Sequence, residues 1–374
     1  MKGKKRSKSW SVLTGIGVVV ILLLVFLSAC AKPSPTPSPS PTAAPSPSPS
    51  PTPPAKPIEL KLAHFMSPKH VQHTQVMVPW AEEVEKVTQG RVKITIYPGG
   101  ALGKPPDQYD NCVTGVTDIA FGLHGYTPGK FPLCSVMELP FMVTSAQAGS
   151  HAFWDLYHEF PEIQAEHQGV KVLWLWTHDV GQILTVKKPV RTLEDLRGLK
   201  LRCPSASQKP VIEALGATPV MMPISELYDS LQKGVVDGTV IPMSAIYDFN
   251  LQDVAKYVTL VDAYVCTFFM VMNLNSWNKI SPQDQKAIES LIGKSMMEKA
   301  AKAYDEGAKL GFDVCKKAGL EIYTLPSEEL ARWKEAVKPV KEKWLASMKD
   351  KGLPGQEVYE EAVKLCQKYN QQFK

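Results

Sequence analysis

Apolar and polar positions alternate in two rhythms along this chain, and the rhythms place its elements. Glu59-Leu60-Lys61-Leu62-Ala63 alternates with a period of two, as a half-buried strand does. Val76, Trp80, Val84 and Val87 then recur at helical spacing until Gln89-Gly90 stops the helix. Val92, Ile94 and Ile96 share one face of a second alternating run, which ends at Pro98-Gly99-Gly100. Strand and helix continue to take turns. A short helix around 106–113 leads into an apolar strand at 118–121. Further strands are predicted at 171–176, 199–202, 238–241 and 266–273, with helices at 208–215 and 225–232. Thr192-x-x-Asp195 is a capping box. The succession predicts an α/β fold with mainly parallel sheets.

The texture changes at Ser281-Pro282-Gln283-Asp284, where an N-cap serine, a proline at the first helical position and an acid at the third mark a helix start. No proline follows until Pro326, and the pattern stays helical over 281–317. Such a helix would span about 50 Å at 1.5 Å per residue, enough to back two lobes at once. Amphipathic helix continues over 327–373. No repeat of fixed period is visible.

The amino terminus stands apart from this body. Lys2, Lys4, Lys5, Arg6 and Lys8 precede an uncharged run from Trp10 to Leu27, and then Leu27-Ser28-Ala29-Cys30. Small residues leading into one cysteine resemble a bacterial lipobox. Residues 1–29 then read as a signal peptide, with Cys30 as the lipidated first residue of the exported protein. A plain anchor helix ending in Cys is the alternative, and either places the body outside the cytoplasmic membrane. Residues 30–57 form a Pro/Ser/Thr-rich tether: 12 of the chain's 31 prolines fall between Pro33 and Pro57. Alternating prolines hold an extended chain, so about 26 residues could stand the body on the order of 80 Å off the membrane.

Charge narrows the partners. The formal charge of +5 comes from the leader: without its five positives, 37 basic residues face 37 acidic ones. A neutral body offers no basic face to neutralise phosphates, which excludes nucleic acid as a partner. The six cysteines after Cys30 are widely spaced and lack a Cys-x-x-Cys pair, so buried free thiols are expected.

Catalytic signatures are missing. The chain has no phosphate-cradling Gly-x-x-x-x-Gly-Lys-Ser/Thr, no Gly-x-Gly-x-x-Gly, no His-Glu-x-x-His and no Gly-x-Ser-x-Gly. Tyr97-Pro-Gly-Gly-Ala-Leu-Gly103 reads as a turn. His64, His70 and His73 are close enough in sequence to suggest a metal site, but no carboxylate lies in that local run to complete it. Arg202 is the more telling residue. It ends the strand 199–202, and a side chain at the carboxyl end of a strand in an open α/β sheet points toward the ligand crevice. Its planar fork suits bidentate capture of a carboxylate. Tyr247, Tyr264, Phe268 and Phe269 supply aromatic surface in the same half of the chain.

These residues fall into a familiar series. Leu193-Glu-Asp-Leu-Arg-Gly-Leu-Lys-Leu-Arg202 is followed by Ala214-Leu-Gly-Ala217, Met222-Pro223, Glu226-Leu-Tyr228, Leu231-Gln232 and Gly234-Val-Val-Asp-Gly238. The series resembles the solute-binding subunit of TRAP transporters, the tripartite ATP-independent periplasmic uptake systems, in its DctP family. Gly90-Arg91-Val92, Thr117-Asp118-Ile119-Ala120, Glu138-Leu-Pro-Phe141 and the run from Asn273 to Trp277 agree, so the resemblance covers about residues 59–320. It implies a two-lobed periplasmic-binding-protein-like α/β fold with a ligand cleft between the lobes. Residues 58–180 plus 270–300 would form lobe I, 181–269 plus 301–374 lobe II, and the long helix would cross both. It further implies that Arg202 clamps the carboxylate of a small organic acid, that no cofactor is needed, and that the partners are the membrane permease subunits. A homodimer stays open.

Many relatives carry a second arginine where this chain has Gly181-Gln182. Gln182, Tyr247, Tyr264, Phe268 and His64 are therefore the further candidates for lining the cleft. A single cation favours a monocarboxylate with a sizeable neutral body over a dicarboxylate. The competing readings are an exported metal-assisted hydrolase using His64, His70 and His73, and a structural surface lipoprotein.

Overall fold

The computed structural model describes residues 56–374. The signal peptide, the lipid attachment at Cys30 and nearly all of the tether expected above lie outside the described residues.

Eleven strands are found among the described residues: β1 (Ile58–Ala63), β2 (Val92–Tyr97), β3 (Ile119–Leu123), β4 (Val170–Thr177), β5 (Gly181–Thr185), β6 (Lys200–Cys203), β7 (Thr218–Met221), β8 (Gly238–Pro242), β9 (Tyr257–Leu260), β10 (Thr267–Asn273) and β11 (Glu321–Thr324). They form two sheets, in the orders β2-β1-β3-β10-β4 and β11-β9-β5-β8-β6-β7. The strands at the sheet centres read as apolar runs because both their faces are covered: all of β3, β5, β8 and β10 is buried. The fold is the two-lobed α/β arrangement expected from the sequence.

Both sheets are mixed rather than mainly parallel. β10 lies antiparallel between β3 and β4, and β5 antiparallel between β8 and β9. The cause is the connection between lobes. After β4 the chain crosses through residues 178–180 into β5 of the second sheet, and after β9 it returns through residues 261–266 into β10 of the first. β5 and β10, which arrive directly from the other lobe through these short segments, enter their sheets against the local direction, whereas β-α-β units within a lobe give the parallel pairs β1–β2, β1–β3, β6–β7 and β6–β8, and β11, brought back by the long helix, pairs parallel with β9.

The long helix expected over 281–317 is broken in two. Pro282–Glu289 is capped by Ser281, whose Oγ accepts from the Asp284 amide at 3.1 Å. A second helix, Lys294–Lys317, begins after Gly293, whose φ of 77° and ψ of −141° suit only glycine. Periodicity alone does not register such a break, because the apolar face resumes in phase. Lys294–Lys317 is still about 36 Å long. It packs on helix Ala146–Glu159 and β4 of the first lobe and on helix Met243–Asp248 and β11 of the second. Of the three C-terminal helices, Ser327–Ala336 packs on the turn Leu193–Leu196 and Lys338–Asp350 on helix Lys209–Ala214, both in the second lobe, and Gly355–Gln372 follows them. The last packs against Ala146–Glu159, returning the chain end to the first lobe.

Lys294–Lys317 approaches Met243–Asp248 closely through Gly307 and Gly311. A Cβ at Gly311 would fall 2.0 Å from the Met243 carbonyl oxygen, and one at Gly307 would lie 3.1 Å from the Ser244 Cβ. Alanine is the better helix former by about 1 kcal/mol, yet forcing two backbones apart in a packed core costs about 1–3 kcal/mol. Gly311→Ala is therefore expected to destabilise the fold by up to about 2 kcal/mol net and so to lower the urea midpoint of unfolding. An unchanged or raised midpoint would show that the helices part freely here.

Candidate functional site

The carboxyl ends of β1, β3, β6 and β8 meet at the boundary between the sheets, the place where an open α/β architecture leaves a crevice. A narrow cavity of about 40 Å³ lies there. The first lobe contributes Phe65, Met66 and His70 from beyond β1, Leu123 and Tyr126 from the end of β3, and Phe268 from β10. The second contributes Arg202 and Pro204, Ile224, Ile241 and Pro242, Ala245 and Phe249. The crossing segments supply His178, Tyr264 and Cys266, and the helix Lys294–Lys317 supplies Tyr304.

Arg202 is the only fixed cation in this lining, and it is 2% exposed. Its Nε donates to the Met222 carbonyl at 2.9 Å, and Nη2 donates to the Tyr126 hydroxyl oxygen at 3.3 Å. That oxygen also accepts from the Ile224 amide at 3.0 Å, so the Tyr126 hydroxyl hydrogen is left to point elsewhere. Nη1 has no acceptor and the guanidinium no carboxylate partner among the described residues. The Tyr304 hydroxyl, also buried, has no partner. Donors thus accumulate in the cavity without acceptors, and a buried cation without an anion is costly.

His178 does not add a second charge. Its Nδ1–H donates to the Asp179 carbonyl, and its Nε2 accepts from the Cys266 amide at 3.0 Å, so both ring nitrogens are committed. Burial lowers its pKa to about 4, the hydrogen bond to Asp179 opposes this, and the Arg202 cation adds to the lowering. Nearby, His70 Nε2 lies 3.1 Å from Asp248 across the two lobes. Burial drives both groups toward neutrality, His70 down to about 3 and Asp248 up to about 8.

The apolar walls are aromatic. Phe268 stacks on Phe121 and Trp176, with ring centroids 5.5 and 5.6 Å apart, and tilts against Tyr304 at 5.7 Å. Tyr264 lies over Gly181, where a Cβ would come within 2.0 Å of the ring. Gly181 is therefore what allows this tyrosine its place in the wall.

Of the residues anticipated from sequence, the structure brings Arg202, Tyr264 and Phe268 to the cavity. Phe269, one position along β10, points to the opposite face and packs on Tyr109 and His124. Tyr247 does not line the cavity: it is half-buried, with Lys69 Nζ 5.3 Å from its ring centroid. Gln182 faces away, and its amide is fully used: Nε2 donates to Asp262 at 2.7 Å and Oε1 accepts from the Val261 and Asp262 amides at 2.7 and 3.1 Å. It pins the returning segment, where Asp262 holds a φ of 50°. His64 is buried behind the wall with Nε2 3.0 Å from His73 Nδ1, while His70 turns to Asp248. The three histidines do not converge on one point, which removes the hydrolase reading. Tyr126, His70, Phe249 and Tyr304 were not anticipated. Tyr304 belongs to the apolar stripe of its helix, and spacing marks it only as core.

Comparison with known proteins follows the same lines. Residues 62–347 match the DctP profile, described as bacterial extracellular solute-binding protein, family 7. An outer membrane transporter protein of Comamonas testosteroni, TsaT, is 28% identical over 302 residues, which is 80% of this chain and 88% of that protein. A marine-metagenome TRAP solute-binding protein specific for aromatic acid ligands, solved with metahydroxyphenylacetate, superposes with a TM-score of 0.81 at 32% identity. It covers 84% of this chain and 99% of its own. A TRAP solute-binding protein from Rhodoferax ferrireducens, with copurified benzoate, superposes equally well at 30% identity, with coverages of 84% and 99%. Among the described residues no helix is long and apolar enough to cross a membrane.

The committed nitrogens of His178 make a pH prediction. Its folded pKa is lowered to about 4 from an unfolded value of about 6.5, so the folded state binds fewer protons between these values. Its contribution is present above pH ~6.5 and is lost as pH falls toward ~4. His178→Gln is expected to be less stable at pH 7 but to show a shallower acid loss. Denaturant melts at several pH values measure this, and an acid slope equal to that of the unaltered protein would contradict it.

Proposed function

The chain belongs to the DctP family of bacterial extracellular solute-binding proteins, the binding subunits of TRAP transporters, and from this we propose that the Arg202 cavity captures an aromatic monocarboxylate for delivery to a membrane permease. The observation that carries the reading is the surplus of donors. Arg202 Nη1, the Tyr126 hydroxyl hydrogen and the Tyr304 hydroxyl have no protein acceptor, and a carboxylate is all acceptor. The solute's charge would complete a buried pair that the empty protein leaves half made.

The rest of the solute meets Phe65, Phe249, Tyr264, Phe268 and Tyr304. At roughly 25 cal/mol per Å², an aromatic ring burying about 150 Å² contributes roughly 4 kcal/mol, enough to replace a second ion pair. A dicarboxylate would instead bury a second charge in a lining whose only fixed cation is Arg202, at a cost of several kcal/mol. The two structural neighbours that hold benzoate and metahydroxyphenylacetate, each an aromatic ring with one carboxylate, support this class. The chain is a binding protein, not an enzyme: it would return the solute unchanged.

Lipid on Cys30 and the proline-rich tether would hold this body outside the cytoplasmic membrane, within reach of the permease. Cys30→Ala is expected to shift the protein from the membrane to the soluble fraction with its solute affinity unchanged. Fractionation and calorimetry check the two halves, and a lost affinity would place the tether in the site.

The clamp itself is tested with benzoate by calorimetry. Arg202→Ala should cost about 3–5 kcal/mol, because it leaves the carboxylate buried without its partner. Arg202→Lys should recover only part, since the bidentate fork is lost. A thermal-shift panel of benzoate, mandelate and succinate then reads the class. Stabilisation by benzoate or mandelate supports the reading, and stabilisation by succinate alone overturns it.

A further inference from the structure

The side chains of His124, Cys134 and His167 bring one ligand atom each to within 4.8 Å of one another, all three residues being buried. They come from three separate connectors of the first lobe: His124 follows β3, Cys134 opens the turn Cys134–Glu138, and His167 precedes β4. None belongs to the solute cavity. We propose that this cluster is a zinc-class metal site, with Glu166 as the fourth ligand.

The donor set is the first argument. Two imidazoles, a thiolate and a carboxylate suit a tetrahedral ion of borderline softness. Bonds of roughly 2.0–2.3 Å place tetrahedral ligand atoms roughly 3.3–3.8 Å apart. The His124 and His167 Nε2 atoms already face each other at 2.9 Å, so they need part by only about half an ångström. Glu166 stands one step off: it is outside the 4.8 Å group and its two oxygens accept from the Leu133 and Cys134 amides at 2.5 and 3.0 Å, but its carboxylate lies within hydrogen-bonding reach of the Cys134 thiol and would turn in to complete the set.

Proton bookkeeping is the second. His167 Nδ1 lies 3.1 Å from the Ile163 carbonyl, which only accepts, so this ring carries its hydrogen on Nδ1 and a lone pair on Nε2. Without a metal, His124 must then donate from Nε2, which strands a lone pair on its buried, partnerless Nδ1. With an ion between the two Nε2 atoms, the His124 hydrogen moves to Nδ1. Both rings then have the arrangement usual for ligating histidine, the metal on one nitrogen and a hydrogen on the other.

Charge is the third. Binding forms a metal–sulfur bond and breaks the S–H bond of Cys134, the proton leaving to solvent. The dication, one thiolate and the Glu166 carboxylate sum to zero, which makes burial among Phe131, Phe153 and Phe269 tolerable. An entry path exists, because His124 also lines an open groove of about 270 Å³, with Thr127, Phe131 and Trp344 among its other walls.

The test uses the full chain, purified under reducing conditions, stripped with a chelator and titrated with Zn²⁺ or with Co²⁺ as its coloured surrogate. One Zn²⁺ retained per chain, a raised melting temperature and a cobalt–thiolate charge-transfer band are expected. The band should vanish in Cys134→Ser and persist in Cys366→Ser, while benzoate affinity stays unchanged in both. His124→Gln should weaken Zn²⁺ at least tenfold. Should Cys134→Ser fail to fold, the unaltered protein still decides the matter by zinc retention and by the cobalt spectrum. No retained zinc, no thiolate band, or a band that survives Cys134→Ser would each overturn the proposal.

Discussion

A buried guanidinium without a counter-ion is the constraint on which the rest of this structure turns. Arg202 is almost fully enclosed, and its protein contacts are a carbonyl and a phenol. Neither neutralises it. Such a group is costly when enclosed without an anion and tolerable beside water or a counter-ion. In the proposed function a solute carboxylate would supply that anion, and the ion pair would lie where Arg202 meets Tyr126 across the two lobes.

For the pair to form, the lobes must be hinged with their wall residues in register, and the crossing segments do this. Gly181 and Tyr264 exchange backbone hydrogen bonds through neighbouring residues: Gly181 N to Tyr264 O at 2.8 Å and Ala263 N to Gly181 O at 2.9 Å. Gln182 then ties the returning segment at Val261 and Asp262. Gln182 is in this way part of the joint. A polar residue committed to backbone groups fixes geometry and contributes no charge, which is why the cavity has one cation. The glycine contacts of helix Lys294–Lys317 with Met243–Asp248 give the joint its backing and bring Tyr304 to the cavity.

Much of this was legible in the sequence. Seven of the strands, the position of Arg202 at a strand end, the neutral body and the free thiols follow from local patterns, because burial imposes periods of two and 3.6 on the chain; β5, β7, β9 and β11, each of four or five residues, and helix Ala146–Glu159 were not read from it. Tyr264 and Phe268 were legible as aromatic residues of the right half. Phe269 shows the limit. It differs from Phe268 by one step along β10, and alternation guarantees that the two face opposite ways without saying which way is the cavity.

What the sequence by itself determined is therefore seven of the eleven strands, the family pattern and the one arginine suited to a carboxylate; β5, β7, β9, β11 and helix Ala146–Glu159 came only with the structure. Only the tertiary structure decided that the sheets are mixed, that the long helix breaks at Gly293, and that the last helix returns to the first lobe. It alone joined Tyr126, Tyr304 and Arg202 into one donor-rich cavity, and His124, Cys134 and His167 into one cluster. The physical reason is separation along the chain. Local sequence sets φ, ψ and side-chain period within an element, whereas a site is made by residues tens to hundreds of positions apart, and their meeting depends on how the lobes cross.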